Sequence, residues 1–66
     1  MDKATFNKKD MAMEASFNTK NATEHLTVVF WSDSVDQIDY HWKASRDYII
    51  AAANAMGFTL TPKDGE

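Results

Sequence analysis

His25 and His41 are the only two histidines of the chain, and they are its first candidates for chemistry. Imidazoles bind transition metals and carry protons near neutral pH. A zinc site, however, needs at least three converging protein ligands. The sequence contains no His-Glu-x-x-His pattern, and Asp33 or Asp39 would join the histidines only if folding brought them together. Nucleophilic catalysis has even less to draw on. Cysteine is absent, no Gly-x-Ser-x-Gly turn exists, and Ser32, Ser34 and Ser45 fit loop, cap and helix-flank roles. Gly57 and Gly65 are the only glycines, too few and too far apart for a phosphate-cradling loop. Asp36 and Asp39 are neighbours that read as a solvated pair. The expectation is a protein without catalytic residues, metal site or cofactor.

Charge leads to the same kind of answer. The net charge is −3, which opposes nucleic-acid binding, although Lys8, Lys9 and Lys20 with Phe6, Phe17 or Trp31 form a weak basic and aromatic combination. The alternative readings are therefore an accessory that contacts nucleic acid through those lysines, or an acidic surface (Asp33, Asp36 and Asp47 with Glu14 or Glu24) that inhibits a nucleic-acid-binding protein. Neither a leading signal segment nor an apolar run long enough to span a membrane is visible, so a cytoplasmic protein without membrane contact is expected.

The elements that must position these residues begin with the clearest one, a helix from Val35 to Met56. Ser34 caps it, Gln37 completes a Ser-x-x-Gln capping box, and Asp36 sits favourably in the first turn. At the other end Gly57 permits a left-handed turn that folds Phe58 back onto Ala53. Glu24–Trp31, rich in β-branched and aromatic residues, reads as a strand with Leu26, Val28 and Phe30 on one face. Residues 11–18 alternate in strand fashion, and Asn18–Thr23 is rich in turn formers, with the Asn21-Ala22-Thr23 glycosylation pattern read as part of a turn. Residues 7–17 remain open between strand and helix, because Met, Ala and Glu favour helix. Phe58–Thr61 offers a possible short last strand ended by Pro62.

Together these give an α+β fold, a single two-layer ββα(β) domain over residues 1–66 with its ordered core at about 10–61. An antiparallel hairpin packs on one long C-terminal helix. Leu26, Val28, Phe30, Ile38, Trp42 and Ile49 make the core, and the first residues and the tail after Pro62 are loose. Such an arrangement leaves apolar surface uncovered at Val29, Trp31, Tyr40, Tyr48 and Ala51. A 66-residue chain without cysteine cannot staple itself by disulfides. The expected function is protein interaction, first with a second copy as a homodimer and then with another protein.

Overall fold

The computed structural model describes residues 2–63 and is a helical hairpin. Helix α1 runs from Lys3 to Trp31 and helix α2 from Val35 to Ala55. No strand occurs among the described residues. The expected ββα(β) domain, and with it the small α/β description, is therefore incorrect. The residues before the expected core are part of a helix. Asp2 caps α1 by accepting a 2.8 Å hydrogen bond from the Thr5 backbone N–H, and Lys3 is already helical. The residues after Lys63, expected to be loose, lie outside the described range.

The physical reason for the error lies in α1. Two residues along a helix rotate by about 200°, so a helix with apolar stripes on opposite sides mimics strand alternation. Met11 and Ala15 turn toward α2, while Met13 and Phe17 turn away. The turn formers of Asn18–Thr23 are held in helix by bonding back to it. The Asn18 amide donates to Glu14 O (2.9 Å), Asn21 to Phe17 O (2.8 Å), and Thr23 to Thr19 O (3.0 Å). Thr27 does the same to Thr23 O at 2.9 Å, inside the expected strand. Glu24–Trp31, too short for a helix alone, forms the last two turns of a 29-residue one. The Asn21 tripeptide is thus helical rather than a turn.

Helix α2 matches its expectation at both ends. Ser34 Oγ accepts from Gln37 N at 3.4 Å, and Asp36 lies in the first turn. Gln37 does not return the bond; its Oε1 faces His41 Nε2 at 3.1 Å. Gly57 has φ +91°, Phe58 N donates to Ala53 O (2.9 Å) and Gly57 N to Asn54 O (3.1 Å), which is a Schellman ending. Phe58–Thr61 is not a strand. It runs back beside α2, where Leu60 and Pro62 line a groove with Arg46, Ile49 and Ile50.

The three-residue loop 32–34 makes the helices antiparallel neighbours. α1 turns residues 11, 15, 18, 22, 25 and 29 to the partner helix, and α2 turns 38, 41, 45, 48, 52 and 55. Those steps alternate between four and three, the spacing of a coiled-coil seam. The seam is filled by small residues. Ala15, Ala22 and Ala52 are the buried apolar side chains, joined by Asn18 and a fully buried Ser45 whose hydroxyl donates to Trp42 O at 2.7 Å. The expected core is mostly outside: Leu26, Val28, Phe30, Trp42 and Ile49 are exposed, and only Ile38 is half-buried. α1 is eight residues longer than α2 (29 against 21), so its first two turns project past the end of α2. The Cα envelope measures 49 × 25 × 11 Å, a slab one helix thick.

Candidate interaction surface

The fold brings the two histidines together across the seam. His25 Nδ1 and His41 Nδ1 are 2.7 Å apart. Their ring centres lie 4.9 Å apart, so apart from about one ring radius on each side the contact fills the whole separation. The nitrogens therefore point at each other and share one proton in an N–H···N bond. The contact from His41 Nε2 to Gln37 Oε1 is the one a His41 protonated on Nε2 would make, with His25 then donating from Nδ1; the direction of the bridge follows the tautomer. Tyr48 stacks on His25 at 5.5 Å and 15°, and Tyr40 stands edge-on to His41 at 4.9 Å and 88°. This geometry is not a metal chelate, whose lone pairs would converge on a third point with the nitrogens about 3.3 Å apart for tetrahedral zinc. Among the described residues no group of three or more His, Cys, Asp or Glu could hold a metal ion.

The five residues expected to form a contact surface do not share a face. Val29 and Tyr48 are half-buried in the seam between the helices. Tyr40 is exposed and Ala51 half-buried, both toward one broad side of the slab. Trp31 ends α1 on its outer side, edge-on to Phe30 at 5.0 Å. Val29 and Trp31, which alternation along a strand would put on one face, are parted by the helix.

The apolar surface that does exist is more regular. Val35, Trp42, Ile49 and Met56 recur every seven residues along α2 and are 69%, 47%, 42% and 58% exposed. They form one row beside the seam, on the side where Ala12, Leu26 and Phe30 of α1 also emerge. The groove lined by Lys8, Met11, Ala12 and Met56 marks where the two sets meet. A second stripe, of Phe6, Met13, Phe17 and Trp31, runs along the back of α1, away from α2, and all four are exposed. Sequence reasoning assigned Trp42 and Ile49 to the core, did not count Val35 and Met56 as contact residues, and named only Trp31 of the back stripe as one. The seven-residue recurrence was the available signal.

Polar groups are dispersed. Lys9 and Lys20 lie on the back of α1, about 16 Å apart along its axis, whereas Lys8 borders the groove near Met56. On α2, Asp36 and Asp47 share the outer face with Lys43, so opposite charges alternate there. The Asp2 carboxyl is held below its ordinary range, first by the Thr5 backbone N–H and then by the Thr5 side chain. The open groove near Met56 has a volume of about 280 Å³ and the open groove near Leu60 about 190 Å³. Both are below the roughly 300–1,000 Å³ usual for ligand pockets. No helix among the described residues is long and apolar enough to cross a membrane. No family model, curated protein or solved structure matches the chain.

Proposed function

We propose that this protein is a non-enzymatic helical interaction module that acts by self-association, first as a homodimer and then with another protein, in the cytosol. The observation that carries the reading is the mismatch between what the hairpin buries and what it displays. Its buried apolar side chains are three alanines, while Phe, Trp, Leu, Ile and Met side chains stand in water. Each large side chain buried by a partner contributes about 1.5–3 kcal/mol. A few such contacts rival the stability of a small domain, about 5 kcal/mol. Single exposed hydrophobics are ordinary, but continuous rows of them mark interaction surfaces.

Sedimentation equilibrium over a thousandfold range of protein concentration tests this. The average mass should rise toward twice the monomer's 7.5 kDa. A folded monomer at every concentration would refute self-association.

A further inference from the structure

We infer that the second copy docks on one particular face, the broad side carrying Val35, Trp42, Ile49 and Met56 of α2 with Leu26 and Phe30 of α1, so that two slabs stack into a four-helix bundle. This deepens the self-association reading and rests on it. Three observations select this occupant. The first is heptad arithmetic. α2 is apolar or small at 35, 38, 42, 45, 49, 52 and 56, and again at 48 and 55. Its own hairpin partner covers the rows through 38, 45, 52 and 41, 48, 55, leaving the row 35, 42, 49, 56 uncovered by α1, although the C-terminal segment flanks Ile49 with Leu60 and Pro62 and Trp42 with Pro62. A helix with a stripe wider than one neighbour can cover is built to touch two neighbours, as in a bundle.

The second observation is area. The chain exposes 5444 Å², against about 4,250 Å² for a compact monomer of its mass. The excess, roughly 1,200 Å², belongs to the whole slab and its open C-terminal segment, so a hairpin of this shape has surface enough to give up the ~800 Å² each partner contributes to a standard interface. The third is charge. The middle of this face carries no acidic side chain; Lys8 and Arg46 sit at its margins. Two copies of a chain with net charge −3 can therefore meet here without carboxylates facing each other across the middle of the contact. The back stripe of α1 differs, because Lys20 and Glu24 interrupt its apolar residues at mid-length.

The two tryptophans allow a direct test, one on each surface. Trp31→Phe leaves Trp42 as the only reporter, and Trp42→Phe leaves Trp31. Each variant is diluted while its mass is followed by sedimentation. The inference expects Trp42 emission to shift to the red as dimer dissociates, and by more than Trp31 emission, since Trp31 meets that face only through its edge contact with Phe30. Ile49→Arg should raise the dimer dissociation constant at least about a hundredfold, since a two-fold contact loses the side chain twice. Phe17→Arg, on the back stripe, should change it by less than about threefold. If mass falls on dilution while Trp42 emission stays constant, or if Phe17→Arg dissociates the dimer and Ile49→Arg does not, the face is wrong and self-association stands. A chain that is monomeric throughout removes both readings. The fluorescence readout holds even where separated monomers lose helix, because Trp31 is 76% exposed before dissociation.

Discussion

At the scale of single residues, the histidine bridge is the most specific contact in the molecule. It joins two helices through side chains sixteen positions apart. Replacing His25 by Phe removes the bond and leaves His41 Nδ1 without its partner, at a cost of about 1–2 kcal/mol. A double-mutant cycle with His41→Phe should return a coupling of about 0.5–1.5 kcal/mol; a coupling near zero would mean that the rings merely pass near each other. Nitrogen-15 spectra should show one of the two facing Nδ1 atoms carrying the shared proton and the other accepting it. Asp2 gives the pH-dependent prediction. Its carboxyl is depressed in the folded state, so its contribution to α1 is complete above the ordinary value of 3.8 and is lost as pH falls through the lowered folded-state value. Amide exchange near Thr5 should quicken over that acidic window, and Asp2→Asn should cap the helix without that dependence. The sequence named both histidines but could not pair them, because pairing depends on a hairpin register that only the seam of small residues sets.

At the scale of elements, the two helices differ in how far local signals decided them. α2 has a cap, a first-turn carboxylate, a regular apolar spacing and a glycine stop, and all four point to the same answer. Gly57→Ala should therefore cost about 1–2 kcal/mol. Open space surrounds a Cβ built there, so the penalty comes from φ +91° and not from a clash. Gly57→Asn should cost less, because asparagine tolerates the left-handed conformation. α1 was illegible for the opposite reason. Its two opposed apolar stripes imitate strand alternation, and its Asn and Thr residues carry turn statistics that back-bonding cancels. Spacing between the helices depends on Ala15, Ala22, Ser45 and Ala52. Ala22→Leu should thus destabilise by about 1–3 kcal/mol through overpacking. If that variant melts higher than the parent, the seam has room that its burial denies.

At the scale of the whole molecule, thinness governs behaviour. The radius of gyration is 14.5 Å, against about 10.8 Å for a compact chain of this length. A slab with three buried alanines gains little from its own collapse, so folding and association should be linked. The melting temperature should rise with protein concentration, by mass action on the associated state. A midpoint constant over a hundredfold dilution would show that each hairpin stands alone. The sequence did reveal surplus apolar surface, since that follows from composition and length; which residues carry it depended on the fold and was misassigned. The projecting start of α1 has a separate, practical meaning. Two helical turns that meet the rest of the hairpin only where Lys8 borders Met56 are too short to persist as an isolated peptide. They hold their shape because the hairpin behind them has already nucleated the helix. A fluorophore or fusion partner attached at its tip would ride on a stiff stalk about 12 Å long, aligned with the long axis and reaching the broad side only at Lys8.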